Sequence, residues 1–177
     1  GKPFGIPTVI NDRLAEMGTL VEVVEISKTY EDGKMDIKTR GIRVFKILEV
    51  VQELPDKLYS GAIVNYPQNI IRGSSSLMKK IIMGIREIHK HLKVEKEFSR
   101  PDDELVSYDV AHHAGLSLED EYTVLEFLQE LHRQEFLKRH LAKVLPVLKE
   151  MDLLKGKIKL NGHFKNLGGL NIKPKDS

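Results

Sequence analysis

Several residue sets in the chain match known chemistries by type, and their spacing decides which of them can operate. Ser76-Leu77-Met78-Lys79 fits S-x-x-K, in which a lysine one helical turn away takes the serine proton and makes the hydroxyl a nucleophile. The S-D-N and K-T-G companions of that arrangement are absent, and a serine followed by an exposed lysine also reads as a helix cap, which carries more weight here. Seven histidines invite a metal. His89 and His91 are two residues apart and diverge on a helix, adjacent His112 and His113 do the same, and His132 and His140 stand about two turns apart. No H-x-x-x-H or H-E-x-x-H pair exists. Glu119, Asp120, Glu121, Glu126, Glu130 and Glu135 crowd one segment, but they fall where a solvated helix face holds its acids. The first of them suit the positive end of a helix dipole. Gly1-Lys2 and Gly33-Lys34 lack the upstream glycine and following hydroxyl of a phosphate-binding loop. With no cysteine there is no thiolate and no disulfide. The expectation is no catalytic residue, no metal and no cofactor.

The elements that would position such residues read as strands first and helices second, hence α+β. Of 177 residues, 41% are hydrophobic and 31% charged, with a net charge of +2, which is ordinary for a chain that buries a core. No apolar run is long enough to span a membrane, and no signal-peptide layout opens the chain, so the cytoplasm is the expected compartment. Phe4–Ile10 contains a proline and predicts an edge strand or strand start. Leu20–Lys28 predicts a strand with imperfect alternation, through either a bulge or burial on both faces. Asp32-Gly33 predicts a type I′ hairpin turn, returning along a strand with Met35 and Ile37 on one face. Ile42–Val51 and Leu58–Tyr66 predict further strands.

Ser74-Ser75-Ser76 predicts a helix cap, followed by an apolar stripe at Leu77, Ile81, Ile85, Ile88 and Leu92. Ser107 is expected to cap a short helix that Gly115 ends, and Ser117 to cap the next. From Leu118 to about Leu160 the pattern is helical. It is compatible with a break between Phe127 and Arg133, and Pro146 is expected to kink or interrupt it. The predicted divisions are a β subdomain at 1–70, a helical subdomain at 74–160 and a basic tail at 161–177. From Lys155 onward six lysines stand against Asp176 alone, enough to touch an anionic surface, though Phe164 is the tail's only aromatic.

The best-specified segment carries no chemistry. It runs Gly18-Thr19-Leu20-Val21-Glu22-Val23, then Asp32-Gly33, then Thr39-Arg40-Gly41-Ile42-Arg43-Val44. This order resembles the N-terminal substrate-binding domain of Lon proteases, the LON domain also found in cereblon. VAHHAGLSLEDEYTVLEFL resembles that family's helical half, and the likeness spans roughly residues 4–155. It implies a twisted, partly closed β subdomain of PUA-like type followed by a small helical bundle. It also implies a role in holding protein substrates, with no catalytic set to carry over. The family's opening strand and its acidic-proline-arginine-tyrosine helix have no counterpart before Gly1, so the β subdomain is expected to lack its first strand or strands. The ATPase and serine-lysine peptidase modules of Lon have no counterpart either, and the chain reads as a stand-alone LON-domain protein.

Three functions follow. The leading one is a non-catalytic module binding a protein or unfolded polypeptide through the surface of the β subdomain or the groove between subdomains, with Tyr59 and Tyr66 as the partner-binding residues. The alternative is an RNA-associated PUA-like module using the basic tail. The third is a hydrolase built on Ser76 and Lys79.

Overall fold

A computed structural model describes residues 2–167. Its first half is a four-stranded antiparallel meander, β1 (Phe4–Ile10), β2 (Arg13–Thr29), β3 (Met35–Val51) and β4 (Gly61–Asn65), in that spatial order. The sheet is open, with β1 and β4 as its edges. Pro7 sits in the edge strand β1, where a missing amide donor is tolerated. Bulges interrupt the β2–β3 register after Leu20, Val23 and Ile26, which accounts for the broken alternation along β2.

The two hairpin turns differ from expectation in an instructive way. Between Ile10 and Arg13, Asn11 and Asp12 have φ of 50° and 61°, the pair of positive angles that a two-residue I′ turn requires. This hairpin has no Asn-Gly or Asp-Gly signature and went unpredicted. At 30–34 only Gly33 has positive φ, at 83°, and its N–H donates to the Tyr30 carbonyl at 3.0 Å. That is a three-residue loop with a left-handed glycine as its last member, and not type I′. Beyond it, β3 runs unbroken through Gly41, joining what the sequence presents as two strands.

The second half is helical: α1 (Ser75–Leu92), α2 (Ser107–Val110) with a 3₁₀ turn over Ala111–His113, α3 (Leu118–Glu126) and α4 (Glu130–Leu167). Ser74 caps α1, its Oγ accepting from the Leu77 N–H at 3.3 Å, and Ser117 caps α3 by accepting from Asp120 at 3.1 Å. Caps of this kind are worth ~1 kcal/mol each. Ile81, Ile82, Ile85 and Ile88 of α1 are buried against Leu137 and Leu141 of α4, with Val110, Ala114 and Val124 completing the core. Burying one such side chain contributes about 1.5–3 kcal/mol. Leu92, expected on the same stripe, is exposed because α1 ends there and Lys93 turns into the left-handed region.

Three further expectations are corrected. α4 continues through Pro146 without interruption; the carbonyl that loses its partner is that of Ala142, which lies on the exposed side of the helix where water can replace the bond. Residues 161–167, expected to begin a tail, belong to this helix, and 168–177 lie outside the described residues. Ser107 is not a cap but a buried donor, and the capping is done by Asp109, whose Oδ2 accepts the Val106 N–H at 2.9 Å.

Candidate functional site

One face of the sheet is hollow. β1, β2, β3 and β4 together line a concavity of about 830 Å³. Its floor is the ring of Phe45, buried close against two glycines. A Cβ on Gly18 would stand 2.5 Å from that ring, and one on Gly5 would stand 3.1 Å from it. Gly18 is therefore required by close packing: no side chain fits between its backbone and the aromatic ring. The walls are apolar, with Phe4, Leu14 and Val50 all about half exposed. Tyr59 and Tyr66, the two residues predicted to contact a partner, both line this same concavity, and the Arg43 guanidinium sits 5.3 Å from the Tyr66 ring centroid. Lys2 is the only charged residue among the lining.

A second, smaller hollow of about 280 Å³ lies where the two halves meet, between Thr8–Ile10 of β1 and the helices α2 and α3. Tyr122 fastens this junction: its hydroxyl accepts the Met17 N–H of β2 at 3.1 Å, and burial raises its pKa above that of an ordinary tyrosine. His112 and Glu121 pair at 3.0 Å on the rim.

Behind the junction is a buried polar cluster that sequence reasoning missed. Glu130, expected on a solvated face, is 1% exposed, and Arg133 is fully buried. Arg133 Nε donates to Glu130 Oε2 at 2.8 Å, Nη1 to Asn69, Tyr108 and the Phe127 carbonyl, and Nη2 to the Ile70 carbonyl at 2.9 Å. Glu130 Oε1 accepts both the N–H and the hydroxyl of Ser107 at 2.7 and 2.8 Å. Desolvation pushes the Tyr108 hydroxyl up in pKa, the neighbouring guanidinium opposing it. The polar groups here are bonded to one another and to the backbone, so the cluster ties the β4–α1 linker to the helices. The spacing Glu-x-x-Arg is the sole local signal, and it is also that of an ordinary surface pair.

The other candidates do not converge. The Ser76 hydroxyl pairs with Ser74 Oγ at 3.0 Å and is absent from the hollow that Lys79 helps to line. His91 Nδ1 meets Asp152 at 2.5 Å and His140 donates to the Ala114 carbonyl at 3.0 Å. His89 and His113 touch edge to face with centroids 5.6 Å apart, and His113 Nδ1 is buried without a partner. Among the described residues no three acidic or histidine side chains gather as metal ligands, and no helix is long and apolar enough to cross a membrane.

No family model matches the chain, and no curated protein matches it. Solved structures do. The chain is similar to the Lon N-terminal domain protein from Xanthomonas campestris, with a TM-score of 0.52 and 17% identity over 78% of this chain and 75% of that one. It is also similar to the N-terminal domain of Mycobacterium avium complex Lon protease, with a TM-score of 0.53 and 11% identity over 79% and 77%. The fold is thus that of a Lon N-terminal domain, an open antiparallel sheet followed by helices. At this level of identity the resemblance is one of architecture.

Proposed function

We infer that this protein is a non-catalytic recognition module that holds polypeptide segments on the concave face of its sheet. The observation that carries this reading is the concavity itself. It is large enough for several side chains, walled by half-exposed apolar residues, rimmed by Tyr59 and Tyr66, and nearly free of charge. Contiguous apolar surface of that kind marks a binding site, and aromatic rims supply contact area at low entropic cost. The Lon-like fold agrees with it, since Lon is the protein to which the similar structures belong.

The test is fluorescence anisotropy with a labelled, reduced and carboxymethylated polypeptide as the unfolded ligand. Binding is expected to persist at 1 M salt, where the Debye length falls to about 3 Å. The Tyr59→Ala/Tyr66→Ala variant should bind at least about tenfold more weakly, a loss of ~1.4 kcal/mol. Equal affinity in wild type and variant would remove the concavity from consideration. Binding abolished by salt would indicate a charged surface instead.

A further inference from the structure

Past the end of α1, α4 runs on without its neighbour. His91 in the last turn of α1 reaches Asp152, and Leu148 still packs on the core cluster. On the flank about a quarter-turn from that face, Val147, Met151, Leu154 and Ile158 are exposed at 55%, 47%, 59% and 61%. Their spacings of four, three and four residues are those of a coiled-coil seam, with Val147 and Leu154 at d and Met151 and Ile158 at a. Nearer the start of α4 the same flank is covered from within, where Phe136 packs against Phe127 and His140 bonds to Ala114. The cover stops and the seam continues. Gly156 lies in this stretch and weakens an unsupported helix by about 1 kcal/mol relative to alanine.

The flanking charges identify what fits there. The g positions hold Glu150 and Lys157, exposed, opposite in sign, and in no ion pair among the described residues. The e positions are engaged already, since Leu148 faces the core and Lys155 lies 3.9 Å from Asp152. A parallel dimer joins g to e of the partner helix, whereas an antiparallel one joins g to g. We propose that α4 pairs antiparallel with α4 of a second copy of this chain. Met151 packs on Leu154 and Val147 on Ile158 about a two-fold axis, with Glu150 of each copy facing Lys157 of the other. The contact is self-complementary, as an isologous interface must be. It also puts the two bodies at opposite ends of the paired helices, where a parallel pair would crowd them together. The seam is short beside the ~20–30 residues a side of a standard interface, so the dimer is weak and concentration-dependent.

Sedimentation velocity of the full chain, from about 5 to about 500 μM, tests this. The expected result is a shift from monomer to dimer across that range. Leu154→Glu should raise the dissociation constant at least about tenfold with unchanged far-UV circular dichroism. Glu150→Lys should weaken the dimer, and Glu150→Lys/Lys157→Glu should restore it. Because the chain has no cysteine, single thiols report the register. Mixed Met151→Cys and Leu154→Cys proteins should form the hetero-disulfide in excess over either homo-disulfide. A monomer at every concentration, a dimer indifferent to Leu154→Glu, or predominant homo-disulfides would each overturn the proposal.

Discussion

The helical half and the sheet half dispose of their polar and apolar groups in opposite ways. In the helices the four isoleucines of α1 are buried at 0–3% exposure, and even a guanidinium and a carboxylate are taken inside and satisfied by protein partners. In the sheet, Phe4, Ile6, Leu14, Val50 and Ile63 all stand 40% exposed or more, while the polar groups of the β2–β3 ribbon pair on its outside. Around that core the helical half leaves little unpaired, and much of its exposed apolar surface lies on the run of α4 beyond α1. A half that leaves apolar surface in water has binding free energy in reserve, roughly 25 cal/mol for each Å² that a ligand covers. On the function proposed above, the helical core is the frame and the sheet is the working surface.

The sharpest way to break this contrast is to unpair the frame. Arg133→Met strands the Glu130 carboxylate in a dry site with only Ser107 as a donor, and removing one member of a buried pair typically costs about 3–5 kcal/mol. Urea denaturation should show that loss in the midpoint, and Glu130→Gln/Arg133→Met should recover part of it. A loss under 1 kcal/mol would mean that the cluster is not the fastening assigned to it.

The sheet offers a second test of similar kind and smaller size. Gly18→Ala places a methyl 2.5 Å from the Phe45 ring and 2.7 Å from the Ile6 carbonyl, so the ring must leave its seat on the floor of the concavity. Overpacking of this sort costs about 1–3 kcal/mol. Because Phe45 is the floor, polypeptide binding should fall together with stability, which thermal melts and anisotropy measure on the same sample.

The sequence makes some of these features legible and hides others, for physical reasons. The strand-then-helix order, the Ser74 and Ser117 caps and the edge strand with Pro7 are readable because each rests on local backbone chemistry. Gly18 can be read as a motif residue, but the reason for it lies in Phe45, which is distant in sequence and reaches it through the β2–β3 register. The Asn11-Asp12 turn carries no glycine and so gave no signal. Glu130 and Arg133 have the composition of a surface pair, and only the packing of Asn69, Tyr108 and Ser107 around them makes them interior. Tyr59 and Tyr66 could be named from their place beside the last strand; that they share a concavity depends on the sheet's curvature.

A smaller effect separates the two halves by pH. His113 is packed against His89, Phe98 and His112, with one ring nitrogen buried and unpartnered. Desolvation first, and then the charges of His89, Lys96 and His112, lower its pKa below the ordinary 6.5. The unfolded chain therefore takes up this proton more readily than the native one. The stability that His113 leaves intact above pH 6.5 is lost as the pH falls from 6.5 through the depressed native value. Melts between pH 7 and 5 should fall more steeply for the wild type than for His113→Phe, while the binding surface of the sheet is unaffected. Parallel curves would show that His113 is protonated without cost.

The smallest expected effect is also the most discriminating. Along the β2–β3 ribbon, Asp36, Lys38 and Arg40 face Lys28, Glu25 and Glu22, so one face is a ladder of opposite charges, with Lys38 on Glu25 at 2.8 Å. The alternation of β3 puts Met35 and Ile37 on the other face, Ile37 paired directly with Ile26, and all three are exposed by 42% or more. These residues line neither of the two hollows described above and are exposed, so their apolar character adds little to folding; a cross-strand pair of this kind contributes ~0.2–1 kcal/mol. Ile26→Thr/Ile37→Thr keeps the β-branched shape and should leave the urea midpoint nearly unchanged. If the concavity alone holds the polypeptide, the anisotropy titration should be unchanged too. A parallel loss of binding would extend the working surface from the hollow of the sheet to the tip of its longest hairpin. It would also leave the division of labour between sheet and helices intact.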